Sequence, residues 1–237
     1  MRLDKLLSQL GAATRSQCRE LIKAGRVRVS GIVPRSGEEA VPPGAEITLD
    51  GKRLDTRLDR YVMLNKPKDV LTAAEDRRMR TVMDLLPPVY AALGCMPVGR
   101  LDRDTEGLLL LTTDGELGHR LLSPKRHVDK TYIARVEGWL DEEDRAAFAA
   151  GIQLKDFTAL PAALEIIAPD MGRVTVREGK YHQVKRMFGA RGKPVKELKR
   201  TAFGPLTLDE SLRPGEWREL TEEECAALYA AAGMEHE

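Results

Sequence analysis

The chain has 237 residues, 42% of them hydrophobic and 32% charged, with a formal net charge of +1, which leaves room for one large domain or two smaller ones and excludes a disordered chain. No apolar run approaches the roughly 18 residues of a membrane span, and Met1-Arg2-Leu3-Asp4-Lys5 is not a signal-peptide core. Cys18, Cys95 and Cys225 lie too far apart for a disulfide framework or a zinc site, so a cytoplasmic protein with no metal is expected. Leu3, Leu6, Leu7 and Leu10 keep helical spacing, closed by Gly11. Thr14 and Gln17 predict a capping box for a second helix with Cys18, Leu21 and Ile22 on its apolar face and Gly25 at its end. Val27 and Val29 alternate with Arg26 and Arg28 as a strand turning at Gly31; Ile47 and Leu49 alternate before the Asp50-Gly51 hairpin signal. Asp55 to Arg60 reads as a polar linker. Tyr61 to Leu64 begins a strand stopped by Asn65-Lys66-Pro67. Leu108 to Leu111 is an apolar run of strand length, predicted to be buried on both faces, and Thr113 with Glu116 predicts the capping box of a following helix. Tyr132 to Val136 and Val174 to Val176 read as strands and Glu142 to Ala150 as a helix. A last helix over Glu222 to Ala232 is capped by Thr221.

The near-zero net charge conceals a strong polarity. Residues 1–35 carry +6, residues 173–200 carry +8 and residues 206–237 carry −7. Two basic blocks suit a polyanion partner, although solvated helix and strand faces account for them equally well on charge alone. In the first block the basic residues gather on and beside the second helix: Arg15, Arg19, Lys23, Arg26 and Arg28.

The densest charge borders the most hydrophobic stretch. Arg100, Asp102, Arg103 and Asp104 immediately precede the leucine run. Burying an unpaired carboxylate is costly, so Asp102 requires solvent or a cation, and Arg100 and Arg103 are close in sequence. A salt-bridged loop entering a core strand satisfies that requirement without any chemistry.

Two resemblances add to this reading. The stretch from Arg2 to Leu7, with Thr14-Arg15-Ser16 and Ile22 through Gly31, resembles the S4 domain, a small module that binds structured RNA through shape and phosphate contacts. Gly99-Arg100-Leu101-Asp102 with Thr105-Glu106-Gly107-Leu108-Leu109 resembles the signature of the RNA pseudouridine synthases, in the branch acting on ribosomal RNA. Leu64-Asn65-Lys66-Pro67, Lys130-Thr131-Tyr132 and the stretch from Glu178 to Met187 are similar to its companion motifs, in the expected order. The resemblance implies an α+β protein: an S4 domain over 1–56, a linker over 57–60, and a catalytic domain over 61–237 built on a mixed, largely antiparallel sheet with flanking helices.

The resemblance also implies the chemistry. The N1–C1′ bond of a uridine is broken, the uracil turns, and it is rejoined through C5. Asp102 falls at the family's essential carboxylate, whether it attacks C1′, attacks the ring or removes a sugar proton. A carboxylate beside a breaking glycosidic bond answers the positive character built on the sugar, and the detached base must be held close and dry. Tyr132 falls at the active-site tyrosine that stacks on the base, and Lys185 at the basic residue that pairs with the aspartate. Arg100 is placed either to help extrude the target nucleotide or to bridge Asp102 or Asp104. Lys180, His182 and Arg186 are candidate RNA contacts. Neither cofactor nor metal is implied. Tyr181-His182-Gln183-Val184-Lys185 and Ser123-Pro124-Lys125-Arg126-His127 are similar to the members acting at position 516 of 16S rRNA, so the partner expected is 16S rRNA or a small-subunit precursor particle, met by a monomer away from any membrane. A synthase acting on 23S rRNA and a non-enzymatic S4-type assembly protein stay open as alternatives, the latter disfavoured by the intact Asp102, Tyr132 and Lys185.

Overall fold

The computed structural model describes residues 1–235, so His236 and Glu237, at the end of the expected catalytic domain, lie outside the described residues. The chain forms two compact units, one from Met1–Arg60 with Pro87–Cys95 and one from Tyr61–Leu86 with Met96–Glu237. In the first unit the leucine spacing becomes helix α1 (Leu3–Gln9), and the Thr14–Gln17 capping box opens α2 (Arg15–Lys23). Strands β1 (Val27–Val29), β2 (Ile47–Leu49) and β3 (Lys52–Arg53) form a three-stranded antiparallel sheet in that order. Leu3, Leu6, Leu7, Cys18, Ile22, Val27 and Ile47 make its core.

The expected boundaries need correction. The segment read as a linker over 57–60 is tied down: Arg60 is buried, pairs with Asp55 at 3.0 Å, and lies over the Tyr90 ring. Helix α3 (Pro88–Ala92), assigned by sequence to the 61–237 domain, belongs to the first unit, and Leu93 packs on that unit's core. Apolar spacing marks which residues seek a core and not which core receives them.

The second unit is built on a nine-stranded mixed sheet. Its elements are β4 (Tyr61–Lys66), β5 (Met96–Pro97), β6 (Glu106–Thr112), α4 (Gly115–Leu122), β7 (Lys130–Val136), α5 (Glu142–Ala150), β8 (Ala163–Ala168), β9 (Met171–Val176), α6 (Gln183–Ala190), β10 (Val195–Phe203), β11 (Leu206–Thr207), β12 (Trp217–Glu219) and α7 (Glu222–Ala232). The main path runs β12-β4-β6-β10-β7-β9-β8, with β5 beside β6 and β11 beside β10. Among the described strands of this sheet β6–β10 is the one parallel pair. The expected strand at Tyr61 continues through Asn65 and Lys66, because its ladder with β6 reaches Lys66↔Gly107 before Pro67 ends it.

Leu108 to Leu111 are fully buried, as a central strand covered on both faces requires. Leu108 and Leu110 pack with Met63, Phe203 and Leu206 under Leu117 and Leu121 of α4 and Leu228 of α7. The cap of α4 is Asp114 and not Thr113: its carboxylate accepts the Leu117 N–H at 2.9 Å. Asp is at least as good an N-cap as Thr. Gly107, in the signature before the leucines, has φ +103, and a Cβ there would lie 2.2 Å from the Arg200 carbonyl oxygen. Only glycine lets β6 run this close to β10.

Candidate active site

The loop from Gly99 to Thr105 crosses the mouth of the sheet ahead of β6 and is held from beneath at both ends. The Thr72 hydroxyl donates to the Leu101 carbonyl at 2.8 Å and accepts the Leu101 N–H at 3.2 Å. Lys66, with no exposed surface, donates to the carbonyls of Pro67, Arg103 and Thr105 at 2.9, 3.3 and 3.0 Å. Burial pulls this amine down to about 8, although Asp104 and Asp102 act to raise it. Asp102 thus hangs between two fixed points on the backbone.

Its cation comes from neither neighbouring arginine. Arg103 pairs with Asp69 at 2.9 Å, and among the described residues Arg100 forms no ion pair. Lys185 Nζ, from the first turn of α6, lies 2.8 Å from Asp102 Oδ2 and 2.6 Å from Asp104 Oδ1. Burial acts to lower Lys185, but its hydrogen bonds to Asp102 and then Asp104 prevail, and its affinity for the proton is raised. Asp104 is correspondingly held below the usual carboxylate range by the hydrogen bond from Lys185. The two carboxylates differ in placement: the Asp102 side chain is 29% exposed and Asp104 is 72% exposed.

His182 approaches Asp102 from the other side, with Nε2 3.4 Å from Oδ1. It occupies the left-handed region at φ 49 just before α6. Glu178 braces that turn, accepting from the Leu160 N–H at 2.9 Å and the Gln183 amide at 2.8 Å, and pairing with Lys180 at 3.1 Å. The exposed Tyr181 ring stacks on His182, with centroids 3.8 Å apart. Tyr132, on β7, is 9% exposed and forms part of the wall of the cleft over Asp102, together with Arg100, Lys180, His182 and Lys185.

Asp102, Tyr132, Lys185, His182, Arg100 and Lys180 therefore share one cleft. Arg186 stands apart from it, paired with Asp156, while Arg186 and Lys180 both lie over the Phe157 ring. In the first unit Arg15 and Arg19 join Arg2 around the buried Asp4, with Arg19 Nε 2.9 Å and Arg15 Nε 3.3 Å from its carboxylate. Arg2 first, then Arg19 and Arg15, hold Asp4 far below the carboxylate range. Arg26 pairs with Asp50 at 2.6 Å, Lys23 with Glu20 at 3.0 Å, and Arg28 donates to the Gly31 carbonyl. The basic block around α2 is thus partly spent inside the unit, a neutralisation that a charge count along the chain does not reveal.

The sequence reading does not single out Lys66, Thr72 or Glu178. Lys66 and Glu178 lay inside quoted motifs, which was the available signal; Thr72 carried none. Among the described residues no cluster of three or more His, Cys, Asp or Glu side chains suits a metal ion, and no helix is long and apolar enough to cross a membrane. The three cysteines are buried free thiols.

Residues 60–190 match the family model described as RNA pseudouridylate synthase, and residues 1–47 match the S4 domain. The chain is 46% identical over 234 residues to an uncharacterized RNA pseudouridine synthase, YtzG, of Bacillus subtilis, covering 96% of this chain and 98% of the relative. It is 43% identical to the ribosomal small subunit pseudouridine synthase A of Yersinia pestis, over 97% of this chain and 99% of the relative. The corresponding Escherichia coli protein is 42% identical, over 96% and 100%. A crystal structure of a pseudouridylate synthase superposes with a TM-score of 0.68 at 38% identity, covering 96% of this chain and 99% of that one. Matched by the family model over 60–190 and by relatives along almost its full length, the chain belongs to the RNA pseudouridylate synthase family and carries the S4 domain at its N-terminus.

Proposed function

We propose that this enzyme isomerises a uridine of 16S rRNA to pseudouridine, with Asp102 as the reacting carboxylate. The observation that carries the reading is the Asp102–Lys185 ion pair at 2.8 Å, set in a cleft walled by Tyr132. Lys185 orients the carboxylate and screens it, so that it meets the positive character developing on the sugar from a fixed position. Tyr132, on a central strand, offers its ring to the uracil and keeps the detached base within reach of C1′. The Thr72 and Lys66 hydrogen bonds keep the loop from yielding as the base turns. Arg100, without a carboxylate partner, is free to occupy the space that a flipped nucleotide vacates.

The choice of small-subunit RNA is supported by the names of the relatives from Yersinia pestis and Escherichia coli and by their near-complete coverage. The S4 unit anchors the RNA and contributes no reacting group. The enzyme acts as a monomer, in the cytoplasm where small-subunit RNA is assembled. Mapping pseudouridines in 16S and 23S rRNA from a deletion strain tests the reading. Loss of one 16S site, restored by the intact gene, is expected. Loss of a 23S site instead, or of none, would replace it with the large-subunit or the non-enzymatic alternative.

A further inference from the structure

Beside Tyr132 the sheet holds two cations that the reaction described above does not use. Lys130 is 7% exposed and Arg200 is 2% exposed. They sit on paired strands, with Arg200 opposite Tyr132 and Lys130 opposite Phe203. Both lie over the Phe203 ring, at 5.4 and 5.2 Å from its centroid. Each donates to one main-chain carbonyl: Lys130 Nζ to Val128 and Arg200 Nε to Leu108, both at 2.8 Å. Among the described residues neither forms an ion pair, and the buried Arg200 Nη2 has no acceptor.

Both side chains line a cavity of about 480 Å³ that shares Tyr132 and Arg100 with the cleft over Asp102. The one carboxylate lining it, Glu178, is already engaged by Lys180, Gln183 and the Leu160 N–H. Asp129, next to Lys130 in sequence, is paired with Arg177 at 2.9 Å. Lysine and arginine are almost never buried this deeply unless paired, because the desolvation of each charge goes uncompensated. Burial, and then repulsion from Arg200, pull the Lys130 amine down to about 8 against the weaker pull of Asp129. Side chains that only donate, facing a cavity with no free carboxylate, select a ligand that accepts and carries negative charge.

We propose that this cavity is a phosphate site, in which Lys130 and Arg200 take the non-bridging oxygens of one backbone phosphate beside the target uridine while the base occupies the cleft over Asp102. The proposal rests on the RNA reading above and deepens it. A phosphate held between two desolvated cations is bound far more firmly than one on an exposed lysine. It belongs to a part of the substrate that does not react, so its binding positions the sugar without lowering the reactivity of the base.

The test uses the full-length protein and 16S RNA fragments carrying one uncharged methylphosphonate linkage at a time around the target. Affinity is measured for wild type, Lys130→Gln and Arg200→Gln. One linkage is expected to weaken wild-type binding about tenfold and the Lys130→Gln protein less than about twofold, while the other linkages affect both alike. The proposal is overturned if no linkage weakens wild type more than about twofold, an arm that needs no variant to fold, or if every linkage costs variant and wild type equally. A second probe separates this site from the choice of RNA. Inorganic phosphate should raise the melting temperature of wild type and leave that of Lys130→Gln unchanged; equal shifts in both proteins would place phosphate elsewhere. If phosphate protection is specific to Lys130 but the fragment is not bound, the RNA assignment fails and the anion site stands.

Discussion

Lys185 serves two carboxylates, and the two are not equivalent. Asp104 is largely in solvent, where a hydrogen bond to lysine contributes about 0–1 kcal/mol; Asp102 faces the cleft. Removing the amine should therefore damage chemistry more than folding. Lys185→Met is expected to lower single-turnover rates by about 100-fold or more and to change RNA affinity by less than about threefold. Equal losses in rate and affinity would reduce Lys185 to one more phosphate contact. Lys66 provides a pH signature. Its amine sits near 8 in the folded protein, below the ordinary lysine value of 10.5, because burial disfavours the charge. Between those values the unfolded chain binds the proton that the folded chain has released, so this group makes stability rise with pH across that window. Melting curves of wild type and Lys66→Met from pH 7.5 to 10 should show wild type gaining on the variant as pH rises. A constant difference would mean that Lys66 titrates normally.

The elements place these side chains, and the sequence disclosed them unequally. Local patterns carry α1, α2 and α7 almost to the residue, and the inner part of the leucine strand, because spacing and capping are short-range properties. Asp102, Tyr132 and Lys185 stood out through family motifs, not through their own chemistry. What remained hidden depended on pairing across the sheet and on packing. Charge and proximity along the chain favour Arg103 as the partner of Asp102, and only the family motif points to Lys185, since the pair follows from how α6 docks against the loop ahead of β6. Thr72 illustrates the same point: an ordinary threonine in sequence, it secures both backbone polar groups of Leu101. Thr72→Val keeps the shape and deletes both bonds. It should cost about 1–3 kcal/mol of stability, lowering the melting point by about 2–12 °C, and should cut turnover about tenfold or more through misplacement of Asp102. Thr72→Ser should restore most of the rate. A Thr72→Val enzyme with an undiminished rate would show that the loop holds itself.

At the scale of the whole molecule the charge polarity divides into spent and available parts. Arg2, Arg15 and Arg19 stabilise Asp4, and Arg26 is bonded to Asp50. Among the described residues Lys23 pairs with the exposed Glu20 and Arg28 donates to the Gly31 carbonyl, so neither charge is spent on a buried carboxylate. The Lys23→Gln, Arg28→Gln double variant should flatten the slope of log affinity against log salt by about 1.4–1.8 without changing the rate at saturating RNA. An unaltered slope would move the anchoring of RNA away from this face. Truncation is a poorer instrument, because Pro87–Cys95 belongs to the same unit and would lose its core. If Asp102 carries out the isomerisation, its loss is read by tritium release from C5-labelled uridine in 16S RNA under single-turnover conditions, with binding and melting temperature followed in parallel. Asp102→Asn should bind RNA and melt as wild type does while releasing no tritium, and Asp104→Asn should keep substantial activity. Folded Asp102→Asn protein that releases tritium at a rate comparable to wild type would remove Asp102 from the chemistry.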